Sequence, residues 1–295
     1  MLRCRHRDLQ KRNLTLSDDN MKSNEIEIRK AVKESYGRLA RRQRSCCAPD
    51  CCGSERHTPA EYSREQLSEI PREATEISAG CGNPVAFAQV TKDATVLDLG
   101  SGGGIDVFQA ATLVGPKGKV IGVDATPEMV WRARETAEKN RIRNVEFRLG
   151  EIEHLPIETG TIDILISNCV INLSPDKKSV FTEAFRVLKP GGKLAISDIV
   201  LLEELPREIQ RHIPAWVGCV AGAILEKDYI DLMRQAGFDN IEVVDRHIYT
   251  PDKFEEFFTV IRDREEFGEE FAGNLRGKIE RIKISSSKIV ARKPV

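Results

Sequence analysis

A short apolar run that ends in Asp98-Leu99-Gly100-Ser101-Gly102-Gly103-Gly104 constrains this chain more than any other stretch. Glycines at that density let the backbone turn tightly after a strand and let a ligand approach it closely. A helix that starts there points its unpaired N–H groups at whatever is bound. The run TVLDLGS also opens a series, followed by KVIGVDAT, NVEFRL, TIDILISN and GKLAISDIV. Helical patterns over Asp106–Leu113, Thr126–Asn140 and Lys177–Leu188 lie between them. Strands that alternate with helices imply a parallel α/β sheet. Pro127 behind Thr126 suits a first helical position behind an N-cap. Lys189-Pro190-Gly191-Gly192 predicts a sharp stop before the next strand.

The flanks are read more coarsely. Residues 1–20 are polar with no helical stripe and are expected to be a disordered extension, with Met21 a candidate start. Ile26, Ile28, Val32, Tyr36 and Leu39 are close to helical spacing. A cysteine-bearing loop follows from Ser45 to about Pro59, then a helical or irregular stretch to the turn Gly80-Cys81-Gly82-Asn83-Pro84. Beyond Leu205 a helix is expected over part of Arg207–Ile224, another over Lys227–Ala236 ending at Gly237, and a charged helical stretch over Phe254–Arg281. NIEVVDRHIYT and SKIVARKPV read as two late strands. The organisation that results is a 1–20 extension, a 21–80 helical arm with the cysteine-rich loop, an 81–205 cofactor-binding α/β core, and a 206–295 segment of substrate-covering helices with the last two strands.

Bulk properties exclude several function classes. Lys and Arg number 45 against 46 Asp and Glu, a net charge of -1, so there is no electrostatic footprint for nucleic acid. The longest notable apolar stretch, Ala215–Leu225, falls far short of the ~20 residues that span a bilayer. The N-terminus has basic residues but no apolar core for a secretory signal, and Asp8, Asp18 and Asp19 argue against a mitochondrial presequence. A cytosolic protein with reduced thiols is therefore expected. It carries eight cysteines, Cys4, Cys46, Cys47, Cys51, Cys52, Cys81, Cys169 and Cys219. CCAPDCC lacks the distant matching knuckle of a zinc ribbon. Cys81 precedes the first core strand and Cys169 follows a later one, positions suited to ligands or nucleophiles and thus to a soft, thiophilic substrate.

The glycine turn alone would suit a nicotinamide cofactor equally. With GVDAT, an acidic residue in LGEIEHLP, TIDILISN and FTEAFRVLKPGGKLAISD following in order, residues Thr95 to Ile199 resemble the class I S-adenosylmethionine-dependent methyltransferases. The resemblance implies a Rossmann-like, mostly parallel seven-stranded sheet with helices on both faces. It also implies site roles. Gly100, Gly102 and Gly104, behind Asp98, would line the methionine moiety and Asp124 would hold the ribose. Met129 would pack on the adenine face or simply in the core. The Ile152 backbone and the Glu153 carboxylate would read the adenine edge, with Glu151 competing, and Asn168 would face the methionine end.

The fuller pattern resembles the arsenite methyltransferases, through VKESYGRLA, the cysteine-rich loop, ISAGCGNPVAFAQV, SNCVINLSPDKKSVFTEAFRVLKPGG, AWVGCVAGAI and SKIVARKP. That resemblance implies trivalent arsenic as substrate, with no metal cofactor. Cys169 and Cys219 would bind it, with a third thiolate from Cys46 or Cys47. Cys81 would exchange disulfides with the early loop, and thioredoxin or glutathione would restore the thiols. The doubled pair CCAPDCC departs from the family pattern and leaves the choice among Cys46, Cys47, Cys51 and Cys52 open. His154 reads as a loop residue, and Trp216 as a pocket wall or core residue. The competing readings are a quinone-type C- or O-methyltransferase with incidental cysteines, and a thiol-based arsenic-binding protein without turnover.

Overall fold

The computed structural model describes residues 25–41, 61–77, 80, 82–205, 221–249 and 283–295. Residues 25–41 form helix α1. Arg64–Glu69 (α2) and Arg72–Thr75 (α3) are short. α2 opens with a capping box in which Ser63 and Gln66 satisfy each other's backbone N–H groups. The core then runs β1 (Thr95–Leu99), α4 (Ile105–Val114), β2 (Lys119–Asp124), α5 (Pro127–Lys139), β3 (Val145–Leu149), β4 (Ile162–Asn168), α6 (Lys177–Val187) and β5 (Leu188–Leu201). α7 (Glu226–Ala236), β6 (Asp239–Tyr249) and β7 (Ile284–Arg292) complete the described elements.

The strands form one seven-stranded sheet in the order β3-β2-β1-β4-β5-β7-β6. β1 to β5 are parallel, and β7 runs antiparallel between β5 and β6. The expected Rossmann-like sheet is therefore present. Its apolar strands are continuous because both faces are covered. On one face Leu97, Leu99, Leu165 and Ile196 pack with Phe181 of α6 and Tyr229 of α7. On the other, Val96, Val120, Ile164 and Ile166 pack with Phe108 of α4 and Ala133 of α5. Phe181 and Tyr229 meet edge to face with centroids 5.1 Å apart.

Strand order reverses between β1 and β4, and an open α/β sheet binds its ligands at the carboxyl end of such a switch point. The segment after β1 and the segment after β4 are therefore the two that matter most for a site.

The core helices lie within a residue of their expected bounds. Thr126 holds the N-cap position of α5, but its side chain makes no capping bond. Its backbone N–H is instead taken by Asp124 Oδ1 at 2.8 Å. Lys189–Gly192 differs from the expected stop. β5 begins at Leu188, and the β4 ladder jumps from Ile162↔Leu188 to Ile164↔Lys193. The prolyl nitrogen cannot join the ladder and Gly191 takes φ 74°, so the four residues bulge out within the strand. α7 ends at Gly237 with φ 107°, as expected of a left-handed C-cap. The helices expected over Phe254–Arg281 and over most of Arg207–Ile224 lie outside the described residues, as does the 1–20 extension. Among the described residues no helix is long and apolar enough to cross a membrane.

Candidate active site

An open cleft lies over the switch point. Its floor is the turn after β1. Gly100 has φ 65°, and a Cβ there would run into the Val170 side chain across the cleft. Gly102 has φ 49°, and a Cβ there would meet nothing within 4 Å among the described residues, so its face is turned to the cleft. Ser101 also lines the cleft, with a buried hydroxyl that has no hydrogen-bond partner. Gly104 stands back from the lining, where a Cβ would run into the Phe108 and Phe147 rings, and it caps the start of α4.

The expected ribose ligand, Asp124, sits at the end of β2 in the lining. Its Oδ2 accepts the Gly102 N–H at 2.9 Å and its Oδ1 that of Thr126. These bonds fix the carboxylate and tie it to the glycine turn. Burial raises its pKa, and the two N–H donors pull it back. Asp98, 2% exposed, lies beneath the turn and outside the lining. Burial holds its pKa well above the usual carboxylate range, with the charges of Asp106 and Asp124 adding to the effect.

Asp106 was not singled out from the sequence. It occupies the first turn of α4, is 3% exposed and lines the cleft. It accepts Tyr62 Oη at 2.6 Å and Asn168 Nδ2 at 3.1 Å. Burial pushes its pKa up to about 6 against those two hydrogen bonds. The available signal was an acid two residues past the glycine turn, where a helix N-terminus favours negative charge.

At the opposite end Ile152 and Glu153 line the cleft. Glu153, 4% exposed, accepts the Ser174 hydroxyl at 2.5 Å and pairs with Arg29 at 2.7 Å. Glu151 pairs with Lys33 and, at 3.7 Å, with Arg29. Both cations belong to α1, which lies against the cleft with Val32 and Tyr36 in its lining. The helix is held to α5 by an Arg41–Glu128 ion pair and an Arg132–Ala40 carbonyl bond of 2.9 Å. Met129 packs with Ala40 and Ile77 and also lines the cleft. The part of α1 in the site had no sequence signal, because its ion pairs join residues more than a hundred positions apart, as in Lys33–Glu151.

β4 delivers Asn168 and Cys169 to the third side of the cleft. Asn168 donates to the Gly82 carbonyl at 2.6 Å and accepts the Gly82 N–H at 3.1 Å. Its amide is thus spent on the glycine–cysteine–glycine turn and on Asp106. Cys169 is 6% exposed, takes the left-handed φ of 56°, and donates its N–H to the Ser197 carbonyl at 2.8 Å. It is disulfide-bonded. Cys46, Cys47, Cys51, Cys52, Cys81 and Cys219 lie outside the described residues, as do Cys4 and Trp216. His154 is exposed beside the cleft, in a short bridge to Glu151.

A family model described as a methyltransferase domain matches residues 90–237. The chain is 42% identical over 246 residues to an arsenite methyltransferase of Halobacterium salinarum, covering 78% of this chain and 63% of that protein. It is 36% identical over 235 residues to a human arsenite methyltransferase, covering 77% and 62%. The chain thus spans less than two thirds of the length of these curated relatives. A crystal structure of an arsenic(III) S-adenosylmethionine methyltransferase from Chlamydomonas reinhardtii superposes with a TM-score of 0.64 at 34% identity, covering 79% of this chain and 73% of that one.

Proposed function

The chain belongs to the methyltransferase-domain family, and from that premise we propose that it transfers methyl groups from S-adenosylmethionine to trivalent arsenic held by cysteine thiolates. The observation that carries the reading is the position of Cys169. It follows β4 directly and lines the same cleft as Gly102 and Asp124. A soft ligand there lies beside the bed for the methyl donor.

The cleft suits the cofactor on its own chemistry. Asp106 and Asp124 line the cleft, buried and without an ion pair to a cation among the described residues, which favours a ligand bearing positive charge. Each Asp124 oxygen holds one backbone N–H and keeps a lone pair for a ribose hydroxyl. The face of Gly102 leaves room at the turn. Glu153 and Glu151, neutralised by Arg29 and Lys33, border the end where a purine would lie. Bound S-adenosylmethionine supplies an electrophilic methyl group on a sulfonium.

The protein's own part is binding and positioning, which can account for much of a transfer that needs no general base. Asp124 and the glycine turn would fix the donor. Val170 and Leu173 form an apolar wall that limits water. Cys169, with Cys219 and a loop thiolate from Cys46 or Cys47, would hold arsenic with its lone pair outward. Methylation removes two electrons from arsenic formally. Two thiols that close a disulfide return them, a role for Cys81 and the early loop, and thioredoxin or glutathione then reduces that disulfide. Because Cys169 is disulfide-bonded, reduction must precede arsenic binding. The proposed thiol chemistry would suit a reducing compartment such as the cytosol.

Reduced protein incubated with arsenite, S-adenosylmethionine and a thiol reductant should yield methylated arsenic by speciation chromatography. No methylated arsenic from protein that still binds the cofactor would transfer the reading to an organic acceptor. Arsenic bound without release of S-adenosylhomocysteine would make the chain a binding protein.

A further inference from the structure

We propose that Asp198, which the cofactor cleft does not use, is a positioning residue that sets the loop carrying Cys169. This rests on the arsenic reading above. Asp198 is fully buried one residue past the point where β5 pairs with the end of β4, Asn168↔Ser197. The chain that leaves β4 is stapled to β5 twice. The first staple is the Cys169 N–H on the Ser197 carbonyl. The second is the buried amide of Asn172, three residues on, whose Nδ2 reaches Asp198 Oδ1 at 2.8 Å and the Ile199 carbonyl at 2.6 Å. Between the staples Cys169 holds φ 56°, a strained conformation that a non-glycine residue keeps only where its surroundings impose it.

The other oxygen of Asp198 reaches across to α7. Tyr229 Oη donates to Oδ2 at 3.1 Å from a ring that is itself fully buried. α7 is where the chain resumes after the segment that contains Cys219 in sequence, and its start is fixed to β5 by the Leu201 N–H on the Ile224 carbonyl at 2.9 Å. One carboxylate therefore joins the loop of one proposed arsenic ligand to the helix that follows the other. A buried carboxyl is an expensive way to hold two apolar elements together, since burial pushes its pKa up to about 7. Lys177 of α6, also buried, is the cation that opposes this, with Tyr229 and the Ile199 N–H as donors. A site that needed only packing would be served by a hydrophobic residue of similar size.

The test uses the reduced full chain and two readouts, one independent of arsenic. Asp198→Ala should raise the alkylation rate of Cys169, followed by peptide mass spectrometry, about tenfold or more, because the loop loses its second staple. It should raise the KM for arsenite by a similar factor, about tenfold, while the Kd for S-adenosylmethionine stays within about twofold. Asp198→Asn should restore both, since its amide oxygen still accepts from Asn172 and its nitrogen can donate to Tyr229. If Asp198→Ala does not fold, Asn172→Ala removes the same staple from the loop side and should give the same split. Wild-type Cys169 reactivity in a folded variant would overturn the proposal, as would parallel loss of cofactor affinity, which signals general damage. A changed Cys169 rate in a protein that makes no methylated arsenic would instead retain the positioning role and sink the substrate reading.

Discussion

Two alanine substitutions on one glycine turn should separate a folding glycine from a binding glycine. Gly100 and Gly102 both have positive φ, so alanine at either costs ~1–2 kcal/mol of backbone strain. They differ in what the new methyl meets. At Gly100 it runs into Val170, an overpacking cost of ~1–3 kcal/mol more. At Gly102 it meets nothing and projects into the cleft. Gly102→Ala should therefore lower the Tm by about 2–8 °C, and Gly100→Ala by roughly twice that. Cofactor affinity should behave in the opposite sense. A methyl group inside the volume of the donor should cost ~1–3 kcal/mol, raising the Kd for S-adenosylmethionine about 5- to 150-fold in Gly102→Ala. Thermal scans without ligand and isothermal titration with the cofactor measure both. If Gly102→Ala binds S-adenosylmethionine within about twofold of wild type while Gly100→Ala loses it, the bare glycine face is not the ligand bed and the assignment of this cleft fails.

Cys169→Ser should abolish arsenic methylation with the Kd for S-adenosylmethionine unchanged, since no described contact to the glycine turn runs through the sulfur; product by speciation chromatography beside cofactor titration decides it. Arg29→Met should destabilise the protein by ~1–3 kcal/mol in urea, because it leaves the buried Glu153 carboxylate without its cation, and Glu153→Gln added to it should recover part of the loss. Asp198 is an acid whose folded pKa, about 7, lies above its unfolded value, so its contribution to stability is present in full below about pH 4 and lost as pH rises towards 7. Asp198→Asn should flatten that slope and stabilise the protein at pH 8 by at most about 4 kcal/mol; urea midpoints of the two proteins that stay parallel from pH 4 to 8 would refute it.

What was legible in the sequence was what the backbone dictates. The central parallel strands are covered on both faces and so read as largely apolar runs, and several turns with positive φ show a glycine, as at Gly100, Gly102 and Gly237, though Cys169 takes such a φ without one. What was not legible depends on contacts between distant residues. Lys189–Gly192 reads as a stop, but parallel pairing on both sides of it carries the strand through as a bulge. Asn168 lines the cleft as its place at the end of β4 implies, but the commitment of its amide to Gly82 and Asp106 was not readable from the sequence. Asp106 and Arg29 carry no motif, and only the fold brings one under Tyr62 and the other onto Glu153.

Those distant contacts give the cleft a direction. Asp106 and Asp124 stand at the glycine turn without a paired cation among the described residues, and two cations from α1 stand at the Glu151–Glu153 end. An ammonium and a sulfonium are stabilised at the first end, and an uncharged purine can lie at the second without meeting unpaired charge. This distribution of charge suits the proposed donor with its sulfonium towards β1 and β4. Cys169 follows β4 at that end. The same reversal of strand order that creates the crevice thus places the one described cysteine next to where the reactive methyl would lie. Cys169 also has to adopt φ 56° to reach that place. The arrangement holds only while Ser197 and the Asn172–Asp198 staple impose that backbone, so the chemistry at this end is set from beneath the cleft, by the packing of β5, as much as from within it.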